Sequence, residues 1–95
     1  MTLDTIIHAS SDQVSCDLGG EVAVLNLKTG TYYGLNPVGA RIWSLIATPS
    51  SVTVVRDSIV AEYEVDQAEC ERDLFRIFEE LVAAGVIEIR APQTP

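Results

Sequence analysis

The side chains able to do chemistry are few and scattered. A nucleophile needs a general base within hydrogen-bond reach. His8 is the only histidine, and neither Cys16, Cys70 nor a serine forms a local motif with it. The two cysteines make no C-x-x-C pair, which removes the common redox and zinc patterns. Their spacing alone leaves a disulfide open, while two reduced, partly buried thiols are the simpler reading. Gly19-Gly20 and Gly30 build neither a G-x-G-x-x-G nor a G-x-x-x-x-G-K loop. With 14 acidic residues, neighbours such as Glu79-Glu80 are expected on a solvated helix face. No serine stands out at a helix start as an acyl-carrier attachment point. No catalytic residue, metal ligand set or cofactor is expected, and the chain does not read as an enzyme.

Charge narrows the partners. Six basic against 14 acidic residues leave a net charge of −8. Binding to nucleic acid rests on Lys and Arg neutralising phosphates, so this balance disfavours it, and anionic membrane surfaces likewise. A basic or apolar peptide is compatible. A hydrophobic content of 47% over 95 residues points to one folded domain, 1–95. The N-terminus lacks a basic region followed by an apolar run, and no window approaches the roughly 18 apolar residues of a membrane span. A cytoplasmic protein is expected.

The elements that must position any site follow from periodicity. Leu3, Ile6 and Ile7 suit a short strand or an arm over the core. Val14, Cys16 and Leu18 alternate with Ser15 and Asp17, the pattern of a half-buried strand. Gly19-Gly20 turns the chain into a second strand, Glu21–Leu27, apolar on both faces and so central. Lys28-Thr29-Gly30 turns it again into a third strand, Thr31–Leu35. Asn36-Pro37 is a helix start, followed by the stripe Val38, Ile42, Leu45, Ile46, with Trp43 flanking it. Val52, Val55, Ile59, Val60 and Tyr63 predict a second helix capped by Ser51, against the strand propensity of Val52–Val55. Asp66 and Glu69 form a capping box for the third helix, with Val65 placed to staple onto Cys70. Leu74, Ile77, Phe78 and Leu81 form its core stripe, and Gly85 ends it. Val86–Ile89 reads as a short strand or wing and residues 91–95 as a tail. The fold expected is α+β, a three-stranded antiparallel sheet packed on a three-helix, winged helix-turn-helix-like bundle.

A winged helix suggests DNA, but the recognition helix would be Asp66–Ala84. There Arg72 and Arg76 are outnumbered by Glu69, Glu71, Asp73, Glu79 and Glu80. The third strand beside the last helix is more suggestive. An edge strand presents unpaired backbone groups, and a helix alongside turns that edge into a groove that an extended peptide could enter as a further strand. Tyr32 and Tyr33 covering the core is the competing explanation.

The run GEVAVLNLKTGTYYGLNPVGARIW, then AEYEVD, then CERDLFRIFEELVAAGVIE, resembles the PqqD-like family of precursor-peptide recognition elements in ribosomal peptide biosynthesis. The resemblance covers about Val14 to Ile89. It rests on Thr29-Gly30, Tyr32 and Tyr33, on Leu35-Asn36-Pro37, and on Asp73, Ile77, Leu81 and Gly85 at four-residue intervals. Val54 departs from it, standing where an acidic capping-box residue is expected. The resemblance implies no catalysis. It implies binding of a precursor's leader segment as an added strand on the third strand, beside the third helix, for delivery to modifying enzymes. Backbone contacts are expected from Thr31, Tyr32, Tyr33, Gly34 and Leu35. Groove side chains are expected from Glu69, Cys70, Asp73, Arg76, Ile77 and Glu80. Asp73 and Glu80 would meet basic leader side chains and Arg76 an acidic one, Arg76–Glu80 as a plain i, i+4 surface pair being the alternative. A lasso-peptide subunit, working with a leader peptidase and a macrocyclase, is preferred to PqqD itself, a peptide chaperone in pyrroloquinoline quinone biosynthesis.

Overall fold

The computed structural model describes residues 1–90. The expected tail, 91–95, lies outside the described residues. In chain order the elements are β1 (Ile6–Ala9), β2 (Gln13–Asp17), β3 (Val22–Asn26), β4 (Tyr32–Leu35), α1 (Pro37–Leu45), β5 (Ser50–Ser51), α2 (Val52–Tyr63), α3 (Gln67–Ala83) and β6 (Ile87–Arg90).

The expected meander is present as β2-β3-β4, antiparallel throughout, with Val14 opposite Leu25 opposite Tyr32 and Cys16 opposite Ala23 opposite Gly34. The expectation of one three-stranded sheet needs correction, because a second forms in the order β5-β1-β6. Ile7 pairs with Ile89 and Ser50, and its side chain is fully buried. The packed core therefore includes Ile7, which lies ahead of the stretch that carries the family resemblance. Four residues with little alternation carry a weak strand signal, and the partner strand that completes β1 comes from the far end of the chain.

Each helix starts where a short polar side chain can replace a missing backbone acceptor. Asn36 Oδ1 accepts from the Gly39 N–H at 2.8 Å, with Pro37 in the first turn. Ser51 Oγ accepts from Val54 at 3.1 Å, and Asp66 Oδ2 from Glu69 at 3.0 Å. The α2 segment is helical because Val52, Val55 and Ile59 bury one face, an energy that outweighs the strand preference of its valines. At the end of α3, Val86 N–H reaches Leu81 O and Gly85 N–H reaches Val82 O, with Gly85 at φ 74°. That is a Schellman closure, which needs a residue at ease in the left-handed region.

Phe78 is fully buried among Ile7, Val24, Ile46, Leu74 and Leu81. Polar clamps hold the layers around it. Arg41 grips Glu62 with two nitrogens at 2.8 and 3.0 Å, joining α1 to α2. Arg56 reaches Glu71 at 2.6 Å, joining α2 to α3. Asn26, buried at the end of β3, donates from Nδ2 to Ala84 O at 2.9 Å and accepts from Lys28 N–H at 2.9 Å. One amide thus fastens the β3–β4 turn to the C-terminus of α3.

Candidate functional site

β2 and β4 are the two edges of the meander, and β4 is the one that lies beside α3. Hydrogen-bond alternation states which of its groups are available. Asn26 N–H donates to Thr31 O at 2.8 Å, so residues 26 and 31 form a bonded antiparallel pair. Bonded and non-bonded pairs alternate along such a ladder. With Val24 opposite Tyr33 and Val22 opposite Leu35, the N–H and C=O of Tyr33 and Leu35 turn towards β3. Those of Tyr32 and Gly34 turn outwards. The β2–β3 side agrees, since Leu18 N–H reaches Glu21 O and Leu27 N–H reaches Asp12 O. Thr31 contributes little to the edge, because its carbonyl serves Asn26 and its N–H points to Thr29 Oγ1 at 3.2 Å. Of the five backbone positions expected from sequence, Tyr32 and Gly34 are the two whose groups turn to the free side of β4.

The other wall is α3. Glu69, Asp73, Arg76, Ile77 and Glu80 fall on one side of it by their three- and four-residue spacing. A groove of about 370 Å³ separates strand and helix, lined by Tyr33, Gly34, Leu35, Asn36, Arg76, Ile77 and Glu80. It runs into a hollow of about 430 Å³ towards the N-terminus of α3, with Asn36, Arg76 and Ile77 shared by both. The hollow has an apolar floor of Val38, Ile42, Ile59, Cys70 and Leu74 and an acidic rim of Asp66, Glu69 and Asp73. All the expected helix residues therefore line one continuous depression. Thr31 and Tyr32 line neither part, and the Tyr32 ring stands on the opposite face of the sheet, 67% exposed.

Inside the depression the charges pair differently from the simplest spacing argument. Arg76 turns back to Asp73, 3.5 Å away, both well exposed. Glu80 takes the hydroxyl of Tyr33, which donates to Oε2 at 2.5 Å across the groove. This bond raises the phenol pKa above its ordinary value, helped by partial burial and by the Glu80 charge. Burial pushes the Cys70 thiol up as well, with Asp73 adding to the rise and Arg56 opposing it. Both cysteines are free, Cys16 exposed and Cys70 buried, so the disulfide left open by their spacing does not form. No group of His, Cys, Asp or Glu side chains among the described residues is arranged to hold a metal ion. No helix among them is long and apolar enough to cross a membrane. What this arrangement offers a ligand is two outward backbone positions, an apolar floor and an acidic rim.

Sequence reasoning passed over Asn36, Val38, Ile42, Ile59 and Leu74 as lining residues. Asn36 reads as a helix cap, and only its place at the end of an edge strand hints at more. The four apolar residues carry core periodicity, and nothing local separates a floor from a core.

Comparison with known proteins points the same way. A family model described as coenzyme PQQ synthesis protein D (PqqD) matches residues 21–87. Among solved structures, TbiB1 in complex with the TbiA(beta) leader peptide is 41% identical, with a TM-score of 0.81 covering 85% of this chain and 94% of that one. A lasso peptide synthetase B1 complexed with the leader peptide has a TM-score of 0.77 at 22% identity, covering 86% and 96% of the two chains, and supports the likeness of fold. No curated protein matches the chain by sequence.

Proposed function

The chain belongs to the PqqD family, whose members are non-catalytic, and we propose that it binds the leader segment of a ribosomally made precursor peptide as a fourth strand on β4. The observation that carries this reading is the pair of outward backbone positions, Tyr32 and Gly34, set beside the lined groove of α3. Backbone bonds would supply affinity without sequence preference, and the depression would select side chains. The relative at 41% identity was solved with a leader peptide, which supports the same use here.

The leader so held would be presented to a leader peptidase and a macrocyclase in the cytoplasm, and lasso-peptide maturation is the pathway we assign. The ground for preferring it to the pyrroloquinoline quinone chaperone is the resemblance read from the sequence, to which Tyr32 and Tyr33 belong. The acidic face of α3 speaks against DNA, and a gel shift at low salt should show no complex. Reconstitution with the precursor and enzymes encoded beside its gene tests the pathway. A mature product without a lasso ring would overturn that assignment while leaving leader binding intact.

The binding mode is tested with fluorescein-labelled TbiA(beta) leader and the full chain, followed by anisotropy. Gly34→Pro removes one outward N–H at an edge, where proline is tolerated. The expected result is a loss of affinity of about tenfold or more, the scale of one or two backbone bonds, with the melting transition retained. Equal affinity in the folded variant would exclude strand addition at β4.

A further inference from the structure

The depression beside α3 lies on the inner side of the β2-β3-β4 sheet, but the outer side also has a recess. The outer row Cys16, Ala23, Gly34 is short of side-chain bulk, and it lies between the row Val14, Leu25, Tyr32 and the residues Leu18 and Glu21. The result is a notch of about 220 Å³ over the Ala23–Gly34 pair, walled by Leu18, Glu21 and Tyr32. A Cβ built on Gly34 meets nothing within 4 Å, so the space above it is open. Leu18 is 59% and Tyr32 67% exposed, so the walls of the notch are bare apolar surface.

The notch opens at the edge where backbone groups are free. Gly34 is one of the two β4 residues whose N–H and C=O leave the sheet. A peptide residue directly opposite Gly34 would put its side chain on the same face as Gly34, the outer one. That side chain would have an empty glycine position beside it, an alanine beyond and the Tyr32 ring diagonal to it. A glycine at a sheet edge leaves its neighbour backbone uncovered, and a large cross-strand ring lying over it restores the cover. Resting on the strand-addition reading above, we propose that this notch is a second specificity subsite, taking a large apolar side chain, best an aromatic one, from the bound peptide at the position opposite Gly34. The bound strand is then read on both faces. Alternate residues enter the α3 groove, and one residue of the other set fills the outer notch. Glu21 at the rim disfavours an acidic side chain at that position.

A random-peptide display library selected on the immobilised full chain tests this. Ala23→Leu fills the notch from its floor and leaves the β4 backbone untouched, and Leu18→Ser removes a wall without touching the edge. The expected outcome on the wild type is peptides with period-two patterning and a bulky apolar residue dominating one position. On either variant, enrichment at that one position should fall to background while the positions facing α3 keep theirs. Unchanged enrichment on both folded variants would overturn the subsite and leave strand addition standing. Failure of the wild type to enrich extended peptides would overturn both.

Discussion

The Tyr33 hydroxyl and the Glu80 carboxylate meet at 2.5 Å, the one side-chain hydrogen bond among the described residues that joins β4 to α3. It spans the groove that both residues line, so it shapes the opening of that groove. It also takes Glu80 out of the i, i+4 pairing with Arg76 that the sequence alone suggests, and Arg76 turns to Asp73 instead.

Tyr33→Phe should therefore change the groove more than the fold. An exposed bond of this kind contributes at most about 1 kcal/mol, so the melting transition should move little. The phenol pKa is raised above 10.0, so the protonated, donating form persists through neutral pH and is lost only as pH rises through that elevated value. Phenolate absorbance should show a component titrating above the ordinary tyrosine range in the wild type and not in Tyr33→Phe. Persistence of that component in the variant would detach it from the Glu80 bond.

Proline should discriminate between adjacent residues of β4. At Gly34 it removes an outward N–H, and stability should stay within about 1 kcal/mol of the wild type. At Tyr33 it removes a bond to β3, and the cost should be about 1–3 kcal/mol. Chemical denaturation of the two variants checks this. Equal destabilisation, or the reverse order, contradicts the alternation drawn from the Asn26–Thr31 pair.

Asn26 and Gly85 should behave as a coupled pair. Asn26→Ala leaves Ala84 O and the turn N–H groups without their buried partner, a loss of about 1–3 kcal/mol. Gly85→Ala puts a side chain at φ 74° and 2.6 Å from Asn26 Nδ2, so it should also cost about 1–3 kcal/mol. In the double variant the clash is gone, and the loss should be less than the sum. Strict additivity in denaturation experiments would show that the two sites do not communicate.

The thiols should differ in reactivity. Cys16 is exposed on the outer face, while Cys70 is buried in the floor of the hollow with its pKa pushed up. Alkylation near neutral pH, read by mass spectrometry, should label Cys16 first and Cys70 at least about tenfold more slowly, since the thiolate is the reacting species. A bound leader should slow Cys70 further. Equal rates for both would place Cys70 in a more open environment than the packing gives it.

Local signals were readable where one stretch of chain contains both partners. Asn36-Pro37, Ser51 and Asp66 with Glu69 start helices because cap and acceptor lie three residues apart. Gly85 ends α3 for a similarly local reason. The meander follows from alternation and two glycine turns. β1 was only half legible because its partners are β5 and β6, and no local pattern announces a pairing across the whole chain. The groove residues of α3 share a side by helix geometry, so their grouping was legible. The Tyr33–Glu80 bond, the Asn26 clasp and the outward aim of Tyr32 and Gly34 depend on register and tertiary approach, which spacing does not contain.

The clasp between Asn26 and Ala84 has a mechanical consequence. It fixes the spacing of β4 and α3 at one end of the depression, where the β3–β4 turn meets the end of the helix. Among the described residues, the far end, around Asp66 and Glu69, has no side-chain hydrogen bond to the strand. A widening of the depression would then be a swing about the clasped end, like a jaw on one pivot, with the largest travel where the apolar hollow lies.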